Sequence, residues 1–267
     1  MLVDRWMTEY PAWLPTEKGS RRVFALPAGG RVLAEVLGDG LTLTHLGGDG
    51  TEPAADSFLL PEGAAAQVPE LALELGRLGR VGRFRNPSVW EAMATAVLRQ
   101  VIRAAQSKTL YRALCVAQGE RVALPDGDVY FLFPAPEQIL NMSDVQFDDL
   151  GLAFKKTPLR AVAAAILDHG SKWNELPAAV LVDELQQVHR IGPWTAGAAV
   201  ADFTGDWSLY PYSDLAVRTW AGRAAPSHHW YPKEPKFATQ WRHLAADSLS
   251  PLTLLTLAWG SHHGDIG

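Results

Sequence analysis

The sequence predicts a mainly α-helical protein with an N-terminal α+β region. Three observations lead there. Apolar residues recur at helical spacing from Val89 onward. Before that point, alternating apolar and polar residues flank a glycine-rich turn. The 267 residues are 48% hydrophobic and 20% charged, an ordinary globular composition in a chain long enough for one large domain or two smaller ones.

Residues 1–85 form the expected α+β unit. Residues 32–36 and 41–45 alternate around Gly38-Asp39-Gly40, a hairpin signal, and residues 23–26 suggest a further strand. Residues 64–78 are rich in Ala, Leu and Glu and predict a helix in spite of Pro69.

Residues 86–267 form the helical unit. Ser88 followed by Glu91 fits a capping box. Trp90, Met93, Ala94, Val97, Leu98, Val101 and Ile102 lie at helical spacing within residues 89–116, which read as two helices with a break in 99–104. A proline-rich loop over 125–136 follows. Residues 135–141, 147–152, 158–169 and 178–188 then predict short helices in a compact array.

Composition narrows the function. A net charge of −5 and a pI near 5.9 speak against a strongly basic nucleic-acid footprint, although backbone amides and a local patch can still hold phosphates. The single cysteine, Cys115, reads as a buried thiol; it leaves no intrachain disulfide, zinc ribbon or four-cysteine iron–sulfur cluster. The N-terminus lacks a cationic head before an apolar run, and no apolar stretch approaches the roughly 18 residues of a membrane span. A cytoplasmic, monomeric protein with no membrane partner is the expectation.

Residues 185–203 read as helix, tight turn, helix. Gly192 is expected to supply a backbone shape that a side chain would resist, and Pro193 suits the first helical position. Free amides at the turn and the helix dipole make a seat for phosphate. Ala196, Gly197, Ala198 and Ala199 are small enough for another helix to approach closely, and Gly205 is a stop signal. An ordinary helical hairpin would satisfy the same pattern. Downstream, Asp214 precedes a helix over residues 215–225, and by itself reads as an N-cap.

Taken together these residues carry a resemblance. Ile191-Gly192-Pro193-Trp194-Thr195-Ala196, then Tyr210-Pro211 and Ser213-Asp214-Leu215 ahead of Arg218, resemble the helix–hairpin–helix–GPD superfamily of DNA glycosylases, most of all the bacterial 3-methyladenine DNA glycosylase II type. Ala96 to Val101, Gly119-Glu120, Phe133 to Glu137, Leu150-Gly151, Lys156 to Ala161 and Trp259 follow in the family's order, so the likeness spans roughly residues 85–267. The resemblance implies two helical subdomains preceded by a small TATA-binding-protein-like domain.

It also implies a chemistry. Asp214 would be the catalytic carboxylate. Breaking an N-glycosidic bond builds positive charge on the sugar, which a fixed carboxylate in a water-poor site stabilises while orienting or deprotonating water. It must be ionised at neutral pH, and a helix N-terminus suits that. The target base must leave the duplex, and alkylated purine cations favour aromatic faces; Trp194, Trp259 and Tyr212 are the pocket candidates. Arg190, which replaces a usual hairpin glycine, together with Ile191, Gly192 and Thr195, would grip the strand, with Na⁺ or K⁺ on hairpin carbonyls. Gln100 and Val101 fall where the family's wedge enters the duplex. Trp194 stands where strand-cleaving relatives carry lysine, so no Schiff base is expected and the enzyme should be monofunctional. The partner implied is double-stranded DNA with a damaged base. Ala198 replaces a pocket tyrosine, which leaves a wider lesion range open. A glycosylase for another adduct and a non-catalytic lesion-sensing protein are the alternatives.

Other residues read as bystanders. Adjacent histidines (His228-His229, and His262-His263 near Asp265) point apart and suit the surface. Asp202 and Asp206 suggest solvated or capping roles, Arg218 a partner for Asp214 or phosphate, and Lys155 and Lys156 solvated or phosphate-facing positions. Trp207, Trp220, Trp230 and Trp241 suggest core.

Overall fold

A computed structural model describes residues 3–263. The N-terminal region holds β1 (Arg5–Trp6), β2 (Leu14–Pro15), β3 (Ser20–Ala25), β4 (Arg31–Leu37), β5 (Gly40–Gly47), β6 (Ala55–Phe58), α1 (Pro69–Gly76) and β7 (Val81–Phe84). Strands β2 to β5 form an antiparallel meander, and the expected turn at Gly38-Asp39 closes β4 on β5 through the Leu37–Gly40 pair. In a second sheet β7 is central, parallel to β1 and antiparallel to β6. The helix expected over 64–78 starts only at Pro69, which sits in its first turn where no amide donor is needed. Ala65, at φ +56°, holds the preceding residues in a turn.

The rest of the chain is α2 (Val89–Arg99), α3 (Ala104–Gln118), β8 (Arg121–Ala123), β9 (Val129–Phe131), α4 (Pro136–Asn141), α5 (Asp144–Asp149), α6 (Lys156–Trp173), α7 (Ala178–Leu185), α8 (Pro193–Thr204), α9 (Leu215–Ala224), α10 (Glu234–Ala245), a 3-10 turn (Ala246–Ser248) and α11 (Leu249–His263). The helix break falls between Arg99 and Ala104, as expected. The presumed loop over 125–136 instead contributes β9, paired with β8. The helix expected over 147–152 begins earlier because Ser143 and Gln146 cap it reciprocally: Ser143 Oγ accepts from the Gln146 amide at 3.2 Å, and Gln146 Oε1 from the Ser143 amide at 2.8 Å.

At α2 only half of the expected capping box forms. Ser88 Oγ accepts from the Glu91 amide, but the Glu91 carboxylate turns to Arg22 (3.1 Å) and the Tyr111 hydroxyl (2.8 Å). This ties the meander to two helices. Arg22 itself is buried, with its guanidinium over the rings of Tyr10 and Phe24. One apolar core runs through both regions, taking in Phe24, Leu71, Met93, Phe147, Trp241 and Leu254. A smaller cluster seals the β8–β9 hairpin to Val23 and Leu33 of the meander.

Helix α8 lies at the centre, packed on α2 and α7. Asp202, near its C-terminal end, is neither solvated nor a cap. It is 2% exposed and pairs with Arg83 of β7 and Arg99 of α2. Asp206 fits the capping expectation, accepting from the Ser208 amide at 3.0 Å and hydroxyl at 2.6 Å. The histidines of α11 are exposed, whereas His228 is half-buried and hydrogen-bonded to Gln240; Asp265 lies outside the described residues. Trp207 and Trp241 are buried as expected. Among the described residues no helix is long and apolar enough to cross a membrane, and no group of three or more His, Cys, Asp or Glu is placed to hold a metal ion.

Replacing Asp202 by Ala leaves two arginines facing a buried void. Removing one partner of a buried pair costs about 3–5 kcal/mol. Chemical denaturation of Asp202→Ala should show a loss of that size; an unchanged midpoint would show that the pairs contribute nothing.

Candidate active site

The hairpin turn is built differently from expectation. Gly192, the N-cap of α8, has φ −96° and ψ 178°, an extended shape open to any residue. The left-handed residue is Arg190, at φ +69°. Arginine thus keeps the turn usually made with glycine, at a cost of roughly 1–2 kcal/mol. A Cβ on Gly192 would meet nothing within 4 Å, so internal packing does not require glycine there, and the turn presents a bare backbone outward. Ile191 is buried and donates its amide to Val188 O at 3.0 Å; it anchors the turn from beneath. The first α8 bond is Ala196 N to Gly192 O, which leaves the amides of Trp194 and Thr195 ahead of it at the positive end of the helix.

The Thr195 side chain does not face outward as a strand contact would. It is 3% exposed, and Oγ1 accepts from Gln100 Nε2 at 2.7 Å, fastening the hairpin to the α2–α3 loop. Gln100 O in turn accepts from Lys155 Nζ at 2.6 Å. Lys155 is therefore a buried loop tie, and burial lowers its ammonium pKa. Lys156 pairs with Asp144. Between these ties Val101 stands clear of the protein, fully exposed and at φ +59°. A β-branched residue in this conformation is a strong outlier. Phe154, next to Lys155, is 97% exposed. Sequence reading missed it, because a single apolar residue in a loop carries no periodic signal.

Asp214 caps α9. Its Oδ1 accepts from the Leu215 amide at 2.7 Å, and its Oδ2 from the Tyr210 hydroxyl at 3.1 Å. Tyr210 is buried. Its phenol pKa is raised chiefly by burial, with Arg99 opposing and the Asp214 charge adding to the rise, so the hydroxyl keeps its proton and donates. Gly197 brings this segment onto α8: a Cβ there would lie 2.5 Å from Leu209 O. Arg218 does not pair with the Asp214 carboxylate. Its Nε donates to Ser213 O at 2.9 Å and its Nη1 to Pro232 O at 2.7 Å, bracing the approach to the cap.

A cleft of about 960 Å³ collects these groups; Asp214, Trp194, Tyr210, Gln100, Val101 and Trp220 all face it. Trp194 is half-buried, with the Arg99 guanidinium over its ring at 5.8 Å. Two expected pocket residues lie elsewhere. Trp259 is 7% exposed, stacked on His263, with Nε1 donating to Glu74 of α1 at 3.1 Å. Tyr212 turns to α10, where its hydroxyl accepts from Arg242. The aromatic wall is instead Trp220, which lies against Gly260: a Cβ there would fall 2.3 Å from the indole. The signal was available, because Ala216, Thr219 and Trp220 share the helical face that follows Asp214, and all three line the cleft. Ala198 is fully buried in α8 and does not line the cleft, so its small size does not widen it.

No protein-family model and no curated protein matches the sequence. Solved structures do. The 3-methyladenine DNA glycosylase of Archaeoglobus fulgidus superposes with a TM-score of 0.75 at 18% identity, over 97% of this chain and 92% of that one. The Clostridium acetobutylicum 8-oxoguanine glycosylase/lyase, in complex with double-stranded DNA containing cytosine opposite 8-oxoguanine, gives 0.70 at 16%, over 96% and 89%. The Schizosaccharomyces pombe 3-methyladenine DNA glycosylase, in complex with abasic DNA, gives 0.54 at 17%, over 68% and 84%. The chain has the fold of the helix–hairpin–helix DNA glycosylases.

Arg190→Gly should remove the left-handed strain and stabilise the protein by ~0.5–1 kcal/mol, after allowing for the added freedom of the unfolded glycine. Gly192→Ala, in an extended conformation with open space, should change stability by less than about 0.5 kcal/mol. Equilibrium unfolding of the two variants tests the assignment, and the reverse order would refute it.

Proposed function

We propose that the protein is a monofunctional DNA glycosylase that hydrolyses the N-glycosidic bond of an alkylated purine, of the 3-methyladenine or 7-methylguanine type, in base excision repair. The observation that carries this reading is Asp214, held by the Tyr210 hydroxyl and the Leu215 amide, in a cleft with Trp194 and Trp220 beside a bare hairpin turn. The A. fulgidus and S. pombe glycosylases that share the fold support it.

The hairpin amides and Arg190 hold phosphates of the damaged strand, which offsets the absence of an overall basic charge. The carbonyls of the same turn would hold a monovalent cation, adding positive charge towards the phosphate. Val101 enters the space left by the extruded base, and Phe154, on the loop tied to it through Lys155, supports the opened stack. The base packs on Trp194 and Trp220, whose faces favour a cation by about 0.5–2 kcal/mol. As the bond to the sugar lengthens, positive charge grows on the ring and the fixed Asp214 carboxylate stabilises it; the same group orients or deprotonates the attacking water. A cationic leaving group needs no strong acid. No lysine is among the described residues that line the cleft, and Trp194 cannot form an imine, so water is the nucleophile.

Three measurements test this. Asp214→Asn should lower release of methylated purines from duplex DNA by at least about 100-fold with DNA affinity kept; equal release by both proteins would sink the proposal. Borohydride should trap no covalent complex, and a trapped one would refute monofunctional hydrolysis. Val101→Gly should slow release from a paired duplex by about tenfold yet spare a lesion in single-stranded DNA, where nothing need be displaced. Equal slowing on both substrates would remove Val101 from the opening step.

A further inference from the structure

Asp214 is only half-buried. The Tyr210 hydroxyl and the Leu215 amide hold its two oxygens from the protein side, and its open side faces the cleft. Water that reaches the carboxylate there screens it. Its attraction for a growing positive charge is far stronger in apolar surroundings than in water. The acid therefore needs an apolar cover at the moment the bond to the sugar breaks.

Leu215 is placed to supply that cover. It is the first residue of α9, and the amide on Asp214 Oδ1 is its own, so its side chain begins two bonds from the nitrogen that holds the acid. Side chains on a helix lean towards its N-terminus, which at this position is the side of Asp214. The buried stripe of α9 is Val217, Ala221 and Ala224. Leu215 lies about 160° round the helix from Val217, on the cleft side with Thr219 one turn further on. It is 65% exposed. Among the described residues, it and Val101 are the only exposed large apolar side chains that line the cleft. Neither packing nor helix formation calls for leucine here: it fills no core, and first turns favour acidic residues.

We infer that Leu215 is a positioning residue that acts through Asp214. It packs against the deoxyribose of the extruded nucleotide and closes water away from the carboxylate. The acid then exerts its full charge only when the sugar covers both side chains. The inference rests on the glycosylase reading above and deepens it.

The test uses two duplexes that differ only at one abasic site. One carries a neutral tetrahydrofuran ring. The other carries a pyrrolidine ring, whose nitrogen is cationic at neutral pH and stands for the charge that grows on the sugar. The ratio of their dissociation constants reads stabilisation of that charge and cancels general contacts with DNA. It is measured for wild type, Leu215→Ala, Leu215→Met, Asp214→Asn and Asp214→Asn/Leu215→Ala, beside single-turnover release of methylated purines. Wild type should prefer the cationic duplex by at least about tenfold. Leu215→Ala should lower that preference by about fivefold and slow base release at saturating protein by a similar factor. Leu215→Met should restore most of both. The melting midpoint should not move, because the side chain is exposed. In Asp214→Asn the preference should be gone, and adding Leu215→Ala should change the ratio by less than about twofold.

A full preference in Leu215→Ala, with bases still released, overturns the inference and leaves the glycosylase reading standing. A Leu215→Ala effect as large in Asp214→Asn as in wild type also overturns it, since the leucine would then act without the acid. A preference that depends on Leu215 and Asp214, in a protein that releases no methylated base, supports the inference and overturns the alkylated-purine assignment. No preference in wild type and no release overturns both.

Discussion

The site depends on the close approach of the Leu209–Pro211 segment to α8, which only the missing side chain of Gly197 allows. Any Cβ there would push Leu209 away, and with it Tyr210 and Asp214. The contact sets the carboxylate against the helix that also carries Trp194 and the hairpin amides. The same helix fixes its other neighbours through directional bonds. Thr195 holds Gln100, and with it the loop of Val101; Asp202 holds Arg83 and Arg99. Helix α8 thus holds the hairpin turn, Asp214 and the loop of Val101 in one frame.

The N-terminal region takes part in that frame. Parallel pairing of β1 with β7, continued by the bond from the Met7 amide to Gly82 O at 2.9 Å, directs the chain from Met7 to Pro11 along a recess of about 200 Å³ that shares Arg99, Ala216 and Trp220 with the cleft. Gly82 makes room for Trp6, since a Cβ there would lie 2.8 Å from the indole. The N-terminal region, which shares its core with the helices, therefore forms one wall of that recess, through the Met7–Pro11 segment and Arg83 of β7.

Two non-glycine residues in left-handed conformations, Val101 and Arg190, lie on the loops facing the proposed DNA. Backbone strain persists only where the surroundings over-determine it. Here the bonds of Gln100 to Thr195 and Lys155 hold one loop, and buried Ile191 holds the other. Each strained residue turns its side chain away from the protein, which is what a group meant to meet an external partner requires.

Much was legible in the sequence because it depends on neighbours in the chain. Helical spacing, the break after Arg99, the Gly38-Asp39 turn, Pro193 at a helix start and Asp214 as a cap are local matters of backbone geometry and nearby hydrogen bonds. Asp214, Trp194, Gln100 and Val101 were named together from one motif set, and all face one cleft. Trp220 in place of Trp259, Tyr210 rather than Tyr212 turned to the acid and Asp202 as a buried ionic centre were decided by tertiary packing. Which aromatic ring faces a cavity, and which acid loses its solvent, depend on contacts between segments far apart in the chain. Those contacts are fixed only when the elements close on a common core.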